Sequence, residues 1–168
     1  MRTIISEKFK RVTKNRIKLE ELLNVKINYR GKEITVHGSP ENEELAIQMI
    51  DALDFGFPFT AVLSIKEEEK IFAKLNIKDY TSKKNLSEVR ARIIGKAGKA
   101  IKSLSDLSGC NMELKDNEVG IIGDPENIEG ATEAIAQIAQ GAKHGHVYNL
   151  LEKSQPRPIH DLGLKEKD

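Results

Sequence analysis

Hydrophobic and polar positions along the chain form two blocks that predict the same series of elements. The second block reads as strand, helix, helix, strand, strand and helix. Its predicted elements cover residues 71–80, 86–94, 98–107, 110–114, 119–122 and a stretch from 125 onwards. Ile101, Leu104 and Leu107 recur at three-residue spacing, as one face of a helix requires. Asp124 followed by Pro125 is typical of a helix start.

The first block repeats the second at a constant distance. Gly38-Ser39-Pro40-Glu41-Asn42 matches Gly123-Asp124-Pro125-Glu126-Asn127, an offset of 85 residues (123 − 38). The same offset aligns Leu19 with Leu104 and Ile27 with Met112. The predicted elements of the first block are 3–6, a helical pair over 7–23, a hairpin of 25–29 and 33–36, and a helix over 40–53. The chain therefore contains two copies of one α+β unit.

A four-residue loop, Gly95-Lys96-Ala97-Gly98, separates the two predicted helices of the second copy. The glycines allow a sharp turn and a close approach to another polymer. The helix that follows offers free N–H groups to phosphate. A Gly-x-x-Gly sequence alone is typical of ordinary turns, but here cations and isoleucines flank it. The candidate RNA-binding residues are Arg90, Arg92, Ile94, Gly95, Lys96, Ala97, Gly98, Lys99, Ile101 and Lys102.

This arrangement is how a KH domain clamps about four unpaired nucleotides. With the order βααββα, it predicts an α+β fold of two tandem type I KH domains. Each would have a three-stranded antiparallel sheet with helices on one face. The predicted boundaries are a degenerate KH domain over 1–54, a connecting helix over 55–69, a KH domain over 70–152 and a mobile tail over 153–168.

The first copy keeps the predicted fold but lacks the glycine loop. At the 85-residue offset, Lys10-Arg11-Val12-Thr13 lies over Gly95–Gly98, and neither glycine is present. Phe55-Gly56-Phe57-Pro58-Phe59, just after the first copy, permits two interpretations. It is an exposed aromatic hook for a partner, or its rings fill the groove between the two domains; the second is favoured.

Charge is concentrated at the same place in both copies. The formal net charge is only +1, yet residues 1–18 and residues 83–102 each hold seven basic residues and one acidic residue. Two basic patches on an otherwise acidic chain favour local contact with phosphates. Solvated helix faces are the alternative, although two equivalent patches are harder to explain that way.

The sequence gives little support to an enzymatic function. Cys110 sits in an apolar strand pattern, so it is interpreted as a buried small hydrophobe. His144 and His146 could form half of a metal site, but a third ligand at suitable spacing is not evident. We therefore expect no catalytic residues, metal or cofactor. The single cysteine favours a reducing, cytoplasmic setting, and the lack of an 18-residue apolar run predicts no membrane span.

The chain resembles the pre-ribosomal KH proteins of archaea and eukaryotes, the "partner of Nob" family, in its short archaeal form. The segment Val89-Arg90-Ala91-Arg92-Ile93-Ile94-Gly95-Lys96-Ala97-Gly98-Lys99 carries the resemblance, as does the stretch from Gly141 to Tyr148. The resemblance implies binding of single-stranded RNA from the 3′ region of small-subunit rRNA. It also implies two partners, the Nob-family endonuclease that trims this RNA and the alpha subunit of translation initiation factor two.

Three function classes remain open at the level of sequence. The resemblance favours an assembly factor that holds the rRNA 3′ region during ribosome maturation. A general KH adaptor in transcription, RNA decay or translation would have the same motifs. A scaffold whose basic patches meet acidic proteins is the third class.

Overall fold

The computed structural model describes residues 1–154, which form two α+β units. The first unit contains β1 (Arg2–Ile5), α1 (Phe9–Lys14), α2 (Arg16–Leu23), β2 (Lys26–Arg30), β3 (Glu33–His37) and α3 (Pro40–Phe55). Helix α4 (Phe59–Glu67) leads to the second unit. That unit contains β4 (Ile71–Asn76), α5 (Leu86–Ile94), α6 (Lys99–Ser108), β5 (Asn111–Lys115), β6 (Glu118–Gly123), α7 (Pro125–Ala139) and α8 (His144–Ser154).

Each unit is built on a three-stranded antiparallel sheet whose last strand lies in the centre. The strand orders are β1-β3-β2 and β4-β6-β5. Ile34 of β3 pairs with both Ile4 and Tyr29, and Val119 of β6 pairs in the same way with two leucines. The prediction of an α+β fold with two such sheets is confirmed.

Both third helices begin as the sequence predicts. Ser39 precedes Pro40, and its hydroxyl accepts a hydrogen bond from the Asn42 N–H at 3.3 Å. Pro40 and Pro125 stand in the first turns of α3 and α7, where a missing N–H costs nothing. The repeated Gly-x-Pro-Glu-Asn sequence is therefore a helix start that follows a central strand.

Two predicted boundaries differ from the structure. The strand expected over 71–80 ends at Asn76, because the Asn76 side chain accepts a hydrogen bond from the Lys78 N–H and starts a 3₁₀ turn over Ile77–Asp79. The helix predicted from residue 125 onwards ends at Ala139, and a separate helix, α8, begins at His144. The mobile tail predicted over 153–168 overlaps the end of α8, and its residues 155–168 lie outside the described residues.

Each unit has its own apolar core. Leu19, Ile27, Ile34 and Ile50 are fully buried in the first core. Residues at corresponding positions form the second core, including Leu104, Val119 and Ile135. Burial of each large side chain contributes about 1.5–3 kcal/mol, so the period-2 and period-3.6 patterns together specify two separate cores.

The two units meet through a cluster of phenylalanines on the second sheet. Phe55 and Phe57 are 5% and 1% exposed, and their ring centroids lie 5.8 and 5.7 Å from that of Phe72 on β4. Gly120 of β6 lies beneath both rings, and an added Cβ there would come within 2.7 Å of Phe55 and 2.9 Å of Phe57. The rings of Phe55 and Phe57 fill the space between the units, as predicted, whereas Phe59 is half-buried and packs against the first core. The alternative of an exposed hook is wrong.

Candidate nucleic-acid interface

The loop between α5 and α6 is a tight turn that needs left-handed backbone at three positions. Gly95, Ala97 and Gly98 have φ values of 74°, 55° and 74°. The Gly95 N–H closes α5 by donating to the Ala91 carbonyl at 2.8 Å, and the Gly98 N–H donates to the Gly95 carbonyl at 3.3 Å. Helix α6 starts immediately at Lys99. The chain thus passes from α5 to α6 within four residues and presents Lys96 and Ala97, at the tip of the loop, to solvent.

The two loop glycines are required for different reasons. A Cβ on Gly95 would lie 2.5 Å from the Ala100 Cβ and 2.7 Å from the Ala100 nitrogen, so the loop is folded tightly onto α6. Its ψ of 175° also places Gly95 in a region that only glycine adopts readily. A Cβ on Gly98 would meet open space, so only its positive φ favours glycine.

The exposed surface around the loop combines cations with an apolar edge. Lys96, Lys99 and Lys102 are exposed. Ile93 is completely buried, while its neighbour Ile94 is 37% exposed beside the loop. Gly98 occupies the position before α6 and offers no side chain to cap its first N–H groups. The surface therefore offers charge, backbone donors and apolar contact within one loop.

Arg92, one of the candidate RNA-binding residues, makes its hydrogen bonds within the protein. Its two guanidinium nitrogens donate to the carbonyls of Ile138 at 2.8 Å and Ala142 at 2.7 Å, at the C-terminal end of α7. A cation is favourable there, because the last carbonyls of a helix carry partial negative charge. Arg92 holds α5 against α7 and so positions the loop.

Arg90 also makes a contact within the protein. Its Nη1 donates to the Asn117 side-chain oxygen at 2.5 Å, in the turn between β5 and β6. Arg90 therefore links α5 to the hairpin formed by β5 and β6. Ile101 and Leu114 are half-buried and pack against the second core, which leaves part of each side chain exposed beside α6.

The first unit fills the corresponding space with its own side chains. At the 85-residue offset, Arg16 and Tyr29 stand where the second unit has Ile101 and Leu114. The Arg16 guanidinium lies 5.2 Å from the Tyr29 ring centre and 3.2 Å from the Glu20 carboxylate. Phe9 packs edge-on against Tyr29, with ring centroids 5.1 Å apart. A network of one cation, one carboxylate and two aromatic rings thus stands where the second unit has apolar surface.

Hydrogen bonds within this network alter the ionisation of two groups. The pKa of Glu20 is lowered, first because its carboxylate accepts a hydrogen bond from the Ile27 N–H at 2.9 Å and then because of Arg16. The pKa of Arg16 is raised, chiefly by its hydrogen bond to the Tyr29 hydroxyl. Both shifts favour the charged pair that fills the space.

Comparison of the two units shows where they differ in length. Arg11 of α1 donates to the Gly56 and Phe57 carbonyls, both at 3.0 Å, as Arg92 does at the end of α7. This pairing gives an offset of 81 residues (92 − 11), whereas Leu19 and Leu104 give 85 (104 − 19). The difference is four residues, the length of the loop. Lys10–Thr13 lie inside α1, so the prediction that they occupy the loop position is wrong: the first unit lacks the loop entirely.

The other candidate chemical groups are structural. Cys110 is buried, and this burial raises the pKa of its thiol. The His144 ring nitrogen Nε2 lies 2.7 Å from the Arg92 carbonyl, while His146 is exposed. Within residues 1–154, no group of three or more histidine, cysteine or acidic side chains could hold a metal ion. No helix in this part of the chain is long and apolar enough to cross a membrane.

Residues 71–156 match the family model of the second KH domain of PNO1 proteins, which is a eukaryotic type KH domain of type I. The chain belongs to the PNO1 family. The resemblance inferred from the loop and the repeat is thereby confirmed. Residues 71–156 include the whole second unit, so the Gly95–Gly98 loop is the loop of a type I KH domain.

Two named proteins are similar to this chain along most of its length. The KH domain-containing protein MJ0443 of Methanocaldococcus jannaschii is 28% identical over 146 residues, which is 83% of this chain and 64% of that protein. The pre-rRNA-processing protein PNO1 of Chaetomium thermophilum is 28% identical over 141 residues, 80% of this chain and 54% of that protein. The chain spans less than two thirds of the length of these relatives.

Solved structures of related proteins have the same fold. Dim2p from Pyrococcus horikoshii OT3 superimposes with a TM-score of 0.81 at 25% identity, over 90% of this chain and 98% of that one. A second structure from the same organism, of an a/eIF2alpha–aDim2p–rRNA complex, also gives a TM-score of 0.81 at 25% identity, over 90% and 92% of the two chains. The similarity extends across both units.

Proposed function

We propose that the protein is a non-catalytic, single-stranded RNA-binding assembly factor that holds the 3′ region of small-subunit rRNA during ribosome maturation. The observation that carries this proposal is the Gly95–Gly98 loop. It folds onto the start of α6, exposes Lys96, Ala97 and Lys99, and lies beside the exposed edge of Ile94. Such a loop can approach an RNA backbone closely and neutralise its phosphates, as KH loops do.

The RNA would lie over the loop, with phosphates on the α6 N-terminus and bases toward the apolar side chains. Lys96, Lys99 and Lys102 would face phosphates, while Ile94 and Ile101 would contact bases. Arg90 and Arg92 would support this surface from within, because both guanidinium groups bind protein oxygens. The proposed RNA-contacting set is therefore narrower than the set that the sequence predicts.

The first unit acts in this proposal as a degenerate KH domain that contributes charge and protein contacts. Its element order and sheet order are those of the second unit. It lacks the loop, and Arg16 and Tyr29 fill the corresponding space. The proposed boundaries are the KH-like unit over 1–54, the connecting segment over 55–69 and the KH domain from residue 70.

Family membership supports the ribosomal role. The relatives include a pre-rRNA-processing protein, and one similar structure is a complex with a/eIF2alpha and rRNA. By this similarity we propose the alpha subunit of initiation factor two and the Nob-family endonuclease as protein partners, in the cytoplasm.

A pair of aspartates in the loop tests the RNA clamp. Lys96→Asp with Ala97→Asp places two anions against the phosphates, and both positions are exposed, so the core is untouched. Affinity for unstructured RNA should fall at least about tenfold, while the melting temperature stays near that of the wild type. Thr60→Asp with Lys66→Asp makes the same change of three charges on exposed positions of α4 and should leave affinity unchanged. Unchanged binding by the loop variant would refute the clamp.

RNA selectivity separates the assembly factor from a general adaptor. A short RNA from the 3′ end of small-subunit rRNA should bind more tightly than shuffled RNA of equal length at the same salt concentration. Association with small subunits or their precursors in cell extracts should accompany this preference. Equal affinity for both RNAs, without such association, would support the general KH adaptor instead.

A further inference from the structure

A second groove lies between α6 and α8, and it shares Gly95, Lys96 and Lys99 with the loop. We refer to it as the α8 groove. Its lining residues are Gly95, Lys96, Lys99, Ala100 and Ser103 from the loop and α6, with His144 and Tyr148 from α8. The KH element order ends at α7, so this groove exists only because the chain adds another helix.

Helix α8 is attached to the segment that carries the loop. Its Val147 and Leu151 are 1% and 3% exposed and belong to the second core. The His144 Nε2 lies 2.7 Å from the carbonyl of Arg92, two residues before the end of α5. Arg92 in turn binds the chain just before α8, at Ala142. The groove and the loop therefore form one rigid arrangement.

The chemistry of the α8 groove suits a nucleotide. Lys96 and Lys99 supply two exposed cations, and Ser103 supplies a hydroxyl group. Tyr148 is half-exposed and supplies an aromatic ring on the opposite wall. None of the seven lining residues is acidic. Cations and hydroxyl groups bind phosphate oxygens, and an aromatic ring stacks on any base.

Another groove in the same unit provides a contrast. Tyr80 is also half-exposed, but it shares its groove with the carboxylates of Glu129 and Glu133. An RNA phosphate would be repelled there. The α8 groove differs because its ring stands beside cations that also belong to the loop. A strand held at the loop can therefore continue directly into it.

We propose that the α8 groove binds one further nucleotide of the RNA strand that the loop holds, with the base on Tyr148 and the phosphate on Lys96 and Lys99. This inference rests on the proposed function, because it extends the same site. The contacted strand would grow from about four nucleotides to about five. An acidic protein segment would use the lysines but would gain nothing from stacking on the ring.

A series of RNA lengths tests the proposal. Unstructured RNAs of four, five and six nucleotides, extended at either end, are compared by equilibrium binding. The wild type should gain affinity with one of the extensions, by about five- to a hundredfold, since stacking of one base has this effect. Tyr148→Leu should lose this gain and keep the affinity for four nucleotides, whereas Tyr148→Phe should keep both. Tyr80→Leu is the matched control and should behave as the wild type.

The outcomes distinguish this proposal from the clamp itself. If Tyr148→Leu gains affinity with length as the wild type does, the α8 groove does not bind RNA. If a polyglutamate peptide competes at this groove while RNA length has no effect, the site is one for acidic protein. If the wild type binds no RNA of any length, the clamp is wrong.

Photo-crosslinking of the wild type supplies a readout that does not depend on a variant's stability. The nucleotide added in the five-nucleotide RNA, extended at the end that raises affinity, should crosslink to the peptide that contains Tyr148. The four-nucleotide RNA should leave this peptide unmodified. Crosslinks that stay on the Gly95–Gly98 peptide for both lengths would overturn the proposal.

Discussion

At the scale of single residues, the loop depends on two glycines with unequal demands. Gly95 combines a φ of 74° with a ψ of 175°, and a Cβ there would meet Ala100. Gly98 combines the same φ with a ψ of 12°, which asparagine also adopts, and its surroundings are open. The first glycine therefore shapes the loop through packing, and the second through backbone conformation alone.

Substitution of each glycine should separate these two demands. Gly98→Asn should cost at most about 1–2 kcal/mol, the penalty for a left-handed residue. Gly95→Asn should cost more, because it adds a steric clash with Ala100 to a backbone conformation close to glycine-only. Thermal or denaturant unfolding of both variants measures the difference. Equal stabilities, or a less stable Gly98→Asn, would contradict this account of the loop.

At the scale of elements, α1 of the first unit carries positive charge, but this unit lacks a loop that could clamp RNA. Lys10 and Lys14 are exposed on α1, whereas Arg11 is bound to the carbonyls at the end of α3. Lys10→Gln with Lys14→Gln should weaken RNA binding moderately. It should also flatten the dependence of log affinity on log salt by up to about 0.7 for each lost phosphate contact. Sequence preference should survive.

The RNA affinities of the wild type and the lysine variant, measured over a series of salt concentrations, check this prediction. Glu21→Gln, at an exposed position of α2, is a control that removes a charge of the opposite sign from the same unit. A base-specific crosslink to α1, with loss of sequence preference in the lysine variant, would show that the first unit reads RNA.

The network on α2 and β2 makes the first unit sensitive to acid. Because the folded state lowers the pKa of Glu20, its ionised form stabilises the fold at pH values above the ordinary glutamate pKa. This contribution is lost as the pH falls through the lowered pKa. Wild type should therefore melt at a higher temperature than Glu20→Gln near neutral pH, and the two should converge in acid. A difference that persists or grows in acid would contradict the assignment.

At the scale of the whole molecule, the second sheet is covered on both faces. Helices of its own unit pack on one face, and Phe55 at the end of α3 and Phe57 just after it pack on the other, above Gly120. The central strand β6 is accordingly buried from Val119 to Gly123. The first sheet alternates between buried and exposed positions, as a sheet with one open face does.

A methyl group at Gly120 should test this junction. Gly120→Ala forces the two rings to move and should destabilise the protein by about 1–3 kcal/mol. Phe55→Leu should restore part of the loss when combined with it, because the two sites touch. Gly145→Ala, in α8 with open space around it, is the control and should be neutral or stabilising. Unchanged stability of Gly120→Ala would mean that the rings do not pack there.

The sequence by itself determined the features that depend on neighbouring residues. The order of helices and strands follows from apolar spacing, the helix starts follow from Pro40 and Pro125, and the loop follows from two glycines between two helices. Each of these is set within a few residues along the chain, so local patterns suffice. The same holds for the repeat, because it compares one local pattern with another.

Only the tertiary structure decided which side chains are free to act. Arg92 looked like a phosphate contact, but carbonyls 46 and 50 residues further along the chain occupy it. Equivalent contacts pair Arg11 with Arg92, and this pairing shows that the first unit is shorter than the second by the four residues of the loop. Tyr148 joined the loop because α8 folds back onto α6. These contacts join residues far apart in sequence, so they depend on how helices pack, which periodicity does not encode.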